Sequence, residues 1–158
     1  MLPPIEGRPI RVRVRASLGP HLAATSISKR AIALDRQVLS SRGDFERILV
    51  HEIFHFVWVR LSNAGRREWE RLLEGEFSGG AEGELGWSAE WRKNKLARRD
   101  ADRRSPKWRR YICESFCDTA AWRFAGLKGH EEFTLAVKYR RARRRWFEHC
   151  LETGNLKI

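Results

Sequence analysis

The sequence has no disulfide framework and no apolar run of membrane length, and nothing in its first 30 residues resembles a secretory signal. Its three cysteines are an odd number without scaffold spacing, so reduced thiols and a cytoplasmic setting are the expectation. No uninterrupted apolar stretch approaches the ~20 residues that cross a bilayer, and no membrane partner is expected. Arg11, Arg13 and Arg15 break the one early apolar stretch, and no cleavage site follows it. Internal repeats are missing as well, which excludes a solenoid.

What is there is a chain built to fold. The 42% hydrophobic content and seven tryptophans exclude a disordered class, and 158 residues suit one domain, 1–158, with a core of its own. The formal charge of +12 is uneven. Residues 92–110 carry ten Lys/Arg against two Asp, a net of +8; residues 138–145 carry six Lys/Arg and no acid, a net of +6; the remainder nets −2. That distribution is compatible with nucleic acid, an acidic protein or another anionic surface as partner. It is equally compatible with a solvated helix face beside a basic loop.

Ile10, Val12 and Val14 alternate with arginines, the pattern of a strand with one face buried and one in water. Gly19-Pro20 ends it, and residues 31–35 read as a second short strand. Asp44 is placed to cap a helix running to about Leu61, which Asn63-Ala64-Gly65 stops. Trp69, Leu72 and Leu73 mark a short amphipathic helix over 66–74. From Gly75 to Gly86, five glycines with a serine and several glutamates read as a long surface loop. With the basic residues to about 105 it forms an insertion, in which Ser88 is set to cap a helix through 89–99. Ser105-Pro106 is a helix start, and that helix passes Tyr111, Ile112, Phe116, Ala120, Ala121 and Phe124 before Gly126. After Gly129 a last helix runs to about Leu151, with Leu135, Tyr139, Ala142 and Trp146 as its apolar stripe and Arg140 to Arg145 mostly facing water. Short strands followed by longer helices predict an α+β fold.

The chemistry is concentrated in Ile48-Leu49-Val50-His51-Glu52-Ile53-Phe54-His55-Phe56-Val57, which contains H-E-x-x-H. On a helix, residues four apart stand one above the other, so His51 and His55 present two imidazoles side by side, half of a tetrahedral zinc site. Glu52 is placed to take a proton from a metal-bound water. The helix is apolar nearly all round, and burying these three side chains without a metal or partners costs several kcal/mol in rough terms. A hydrogen-bonded His-Glu-His cluster without metal is the plainer alternative.

A third ligand is needed. In H-E-x-x-H-x-x-G-x-x-H peptidases it is a histidine, but here the glycine position is Trp58 and the histidine position Leu61, which excludes that subclass. Glu114 lies inside an apolar helix where an isolated carboxylate needs a partner, and Asp118 follows four residues on, on the same face. Glu114 is the candidate ligand, and Asp118 the group that fixes a ligating imidazole by accepting its far N–H. Cys113 and Cys117 also stand four apart, but about 100° round the helix from Glu114 and Asp118, and read as core thiols.

His51-Glu52-x-x-His55 with Glu114-x-x-x-Asp118 on a later helix resembles the gluzincin group of zinc metallopeptidases, and the chain length is similar to that of the minigluzincins. The resemblance covers mainly residues 44–61 and 106–124. It implies a zincin-like fold: a small, mostly antiparallel sheet packed on an active-site helix and a glutamate helix, with a further C-terminal helix. It also implies Zn2+ on His51, His55 and Glu114, Glu52 as general base, Asp118 behind a ligand, and an extended peptide along the sheet edge. The interval from His55 to Glu114 is longer than in thermolysin. Tyr111 and His130 are the residues to consider for stabilising the tetrahedral intermediate.

The functional expectation is therefore a zinc peptidase acting on a peptide or protein, acidic if the basic segments take part. The alternative is a basic nucleic-acid-binding module with a structural or vestigial zinc. It would use segments 92–110 and 138–145, with Trp91, Trp108 and Trp146 stacked on bases.

Overall fold

A computed structural model describes residues 2–158. Strands β1 (Arg11–Arg15), β2 (Ala23–Ser26) and β3 (Ala31–Asp35) form one sheet in the order β1-β3-β2. Six helices follow: α1 (Arg42–Arg60), α2 (Asn63–Ser78), α3 (Trp87–Lys93), α4 (Arg98–Asp102), α5 (Pro106–Phe124) and α6 (Val137–Glu152). The fold is α+β. Its sheet is mixed rather than mostly antiparallel, because β1 pairs parallel with β3 and β2 antiparallel. Strand β2, Ala-Ala-Thr-Ser, has no apolar alternation and gave no sequence signal. It reaches β3 through a turn at residues 27–30.

Paired residues on neighbouring strands share a face. Ile32 and Leu34 of β3 pack on α1 with Val38, Ile48 and Phe56. Thr25 pairs with Ile32 and so also faces α1. Val12 and Val14 pair with Ile32 and Leu34, yet remain 48% and 46% exposed. Alternation marked the strand correctly but not its burial: β1 overhangs the helix layer.

Helix α1 begins with the Ser41 hydroxyl accepting the Asp44 N–H, one turn earlier than the expected Asp44 cap. It packs on the sheet with one face and on α5 with another, placing Phe54 among Phe116, Phe124 and Phe147. It ends at Arg60, close to the expected Leu61, but Asn63-Ala64-Gly65 then opens α2, because the Ser62 hydroxyl accepts the Gly65 N–H. The start of α5 at Ser105-Pro106 matches the expectation, with Ser105 accepting from Trp108.

The glycine-rich segment is a surface loop only in part: residues 75–78 close α2, and Gly79, Gly80 and Glu82 are exposed. Glu84 and Leu85 are fully buried, and so is Arg143 of α6, in the middle of a basic run expected to face water. The Arg143 guanidinium donates to Glu76 Oε2 and Glu84 Oε2, each at 2.6 Å, and to Thr119 Oγ1 at 3.2 Å. Tyr111 donates to Glu84 Oε1 at 2.5 Å, and Lys93 Nζ lies 3.4 Å from the same oxygen. Through this cluster the segment before α3 is tied to α5 and α6. The apolar stripe of α6 is correspondingly rotated: Arg143, Phe147 and Cys150 are its buried residues.

Candidate metal centre

Helices α1 and α5 lie against each other, and their facing sides bring together six of the singled-out residues, His51, His55, Cys113, Glu114, Cys117 and Asp118. His51 Nδ1 is 2.7 Å from Asp118 Oδ1. That contact occupies the Nδ1 side of the ring and leaves Nε2 for a metal. Asp118 is 2% exposed, and its other oxygen accepts the Ala89 N–H of α3 at 2.8 Å. Glu114 Oε2 stands 3.3 Å from His51 Nε2, and Glu114 Oε1 lies 3.3 Å from Arg92. Burial works against charge on His51. The charge and hydrogen bond of Asp118, with Glu114 and Glu52, nonetheless hold its pKa well above the ordinary 6.5. Burial likewise opposes ionisation of Glu114, but the His51 contact and the charges of His51, His55 and Arg92 bring its carboxyl down to about 2.

One turn along α1, His55 meets the two cysteines of α5. Its Nδ1 lies 3.5 Å from Cys117 Sγ and 3.8 Å from Cys113 Sγ. The two cysteines expected to be inert core thiols thus sit beside a candidate ligand. Cys117 is fully buried and Cys113 partly so. A hydrogen bond from Cys117, with His55 alongside, lowers the Cys113 thiol, whereas burial pushes Cys117 up. Among the described residues, the group whose donor atoms all fall within 4.8 Å of one another is His51, His55 and Cys117. Glu114, the expected third ligand, stands by His51 but falls outside that group. Two imidazoles with a thiol make a donor set suited to zinc, and the buried Asp118 behind His51 is the usual support for such a ligand.

Glu52 is 8% exposed and pairs with no cation among the described residues. The Thr25 hydroxyl of β2 donates to its Oε2 at 2.6 Å. Glu52 and His51 line a cavity of about 340 Å³ together with His21, Arg47, Trp87 and Glu132. A smaller cavity, about 160 Å³, is lined by Thr25, His55, Trp58 and Cys113. Strand β2 thus contributes Ala23 to the cavity at His51 and Thr25 to the one at His55. A larger groove, about 1090 Å³, lies away from the histidines between Phe77, Gly80, Lys93 and Tyr139.

Several residues at the centre had no sequence signal. His21 comes from the loop before β2, thirty residues from His51. Arg47 and Glu132 form a two-point ion pair at 2.8 Å, and Glu132 also accepts the Trp87 N–H. Gly86 packs so closely on Asp118 that a Cβ there would fall 2.2–2.5 Å from the carboxylate. Tyr111 points into the Glu84 cluster, and His130 pairs with Asp44 at the start of α1 at 3.2 Å, so neither joins the histidine pair. Of the three tryptophans considered for base stacking, Trp108 is fully buried and Trp146 packs on Trp69 and Phe116. Trp91 is exposed and stacks on Trp87, with Lys95 3.3 Å above its ring.

No helix among the described residues is long and apolar enough to cross a membrane. Compared with models of known families, with curated proteins and with solved structures, the chain gives no match.

Proposed function

We propose that the chain is a zinc-dependent peptidase with a gluzincin-like, zincin-like arrangement. His51, His55 and Glu114 would hold the metal, Asp118 would orient His51, and Glu52 would be the general base. The observation that carries this reading is the Glu52 carboxylate: without a cationic partner, aimed by Thr25, and opening onto the same cavity as His51. A purely structural metal site has no use for such a group. Strand β2 supports the reading further, since it is an antiparallel edge strand with its outer side unpaired among the described residues. An extended peptide can add to that edge through its backbone, passing Glu52 and the histidines.

When bound, zinc would polarise the scissile carbonyl and lower the pKa of a water to about 7. Glu52 takes the proton from that water and delivers it to the departing amine, with Thr25 holding the carboxylate in place. The Glu52→Gln protein is expected to keep its zinc while peptide cleavage falls by about 10²- to 10⁴-fold, the usual contribution of a positioned acid–base group. Unchanged cleavage by that variant would remove Glu52 from the chemistry.

The second reading, a nucleic-acid-binding module with a structural metal, is favoured by one observation: the exposed Trp87–Trp91 stack beside Lys95 in the basic segment. Wild-type protein that cleaves no peptide but binds single-stranded DNA, with affinity falling steeply in salt, would favour it.

A further inference from the structure

We propose that Cys117 is itself a metal ligand, so that the ion recruited by His51 and His55 is held through sulfur as well as nitrogen. The inference rests on the metal-binding part of the preceding reading and not on peptide hydrolysis. Its ground is geometric. His51, His55 and Cys117 are the residues whose donor atoms all lie within 4.8 Å of one another. A tetrahedral zinc with bonds of about 2.3 Å to sulfur and about 2.0 Å to nitrogen spaces those two atoms about 3.5 Å apart. Cys117 Sγ and His55 Nδ1 are 3.5 Å apart. Glu114 stands within reach of His51 but is also drawn towards Arg92, 3.3 Å from its other oxygen.

Helix geometry explains how one ion can call on both residues. Cys117 follows Glu114 by three positions, so the two side chains rise from the same side of α5 one turn apart. They face His55 and His51, which are themselves one turn apart on α1. The set within reach of one ion is two imidazoles and a thiolate, with Glu114 beside His51, a soft combination that selects a thiophilic divalent ion such as zinc over magnesium or calcium. On binding, the Cys117 thiol gives its proton to solvent as the sulfur–metal bond forms, and no electron changes hands.

Cobalt(II) loading tests this, because a thiolate ligand adds a sulfur-to-cobalt charge-transfer band in the near ultraviolet that imidazole and carboxylate do not give. The expected result is a strong band in the wild type, its persistence in Cys113→Ala and Glu114→Gln, and its loss in Cys117→Ala at saturating cobalt. Cys117→Ser, closer in volume, is read in the same way and guards against a misfolded alanine variant. Stoichiometric cobalt without the band in the wild type overturns the proposal and leaves the peptidase reading standing. A band that follows Cys113 instead also overturns it. A wild type that takes up no cobalt overturns both.

Discussion

Replacing Arg143 with Met is expected to lower stability by about 3–5 kcal/mol, the typical cost of removing one partner from a buried ion pair. For a chain of this size that is a fall in Tm of roughly 6–20 °C. The guanidinium is wholly buried and makes its closest contacts with two carboxylates, Glu76 and Glu84, at 2.6 Å each. Burial pushes both carboxyls up. For Glu84 the charge and hydrogen bonds of Arg143, with Lys93 and Tyr111, win and bring it below its usual range. Glu76 gets less help and stays raised. Without Arg143, Lys93 alone is left to offset two buried negative charges. The loss should be partly recovered when Glu76→Gln and Glu84→Gln are added, since the orphaned charges are then gone. Denaturant unfolding of the three proteins measures this. A drop below about 1 kcal/mol for Arg143→Met would show the cluster to be solvated rather than buried.

The second large effect belongs to Gly86. Its φ of 177° is ordinary extended backbone, so alanine there meets no conformational penalty. The obstacle is the Asp118 carboxylate, which would lie 2.2–2.5 Å from the new Cβ. Either Asp118 gives up His51 or the start of α3 backs away and the Ala89 N–H is lost to Asp118. In both cases the imidazole loses its fixed orientation, and disturbing such a supporting group typically costs about 10- to 100-fold in metal affinity. Zinc affinity of Gly86→Ala, measured by competition with a chelator, should fall by that amount while the helical content is retained. In an Asp118→Ala background the same substitution should add little, because the two act through one contact. Equal affinity for wild type and Gly86→Ala would mean that Asp118 does not position the ligand.

These two residues also show where sequence reading stops. Helices α1 and α5 were legible because their signals are local: an apolar run around H-E-x-x-H, and a serine-proline start. The closeness of Glu114 and Asp118 to His51 followed from asking which buried carboxylates needed a partner. Arg143 was not legible, because its partners lie 59 and 67 residues away and its neighbours in sequence are exposed arginines. The glycines of 75–86 suggested a long surface loop. Two of them are there because other groups come close: Gly86 faces Asp118, and a Cβ on Gly83 would lie 2.7 Å from Thr134. For the cysteines, the 100° offset on α5 was sound, but it assumed that both histidines look at one face. Helix α1 instead delivers His51 to Glu114 and Asp118, and His55 to Cys113 and Cys117.

Metal analysis of the purified chain beside its His51→Ala variant is the most direct measurement. The account predicts one tightly held zinc per wild-type chain and none in the variant, with the fold intact in both. A correctly folded wild type that holds no metal when zinc is supplied, or a His51→Ala protein that keeps its full complement, would contradict it.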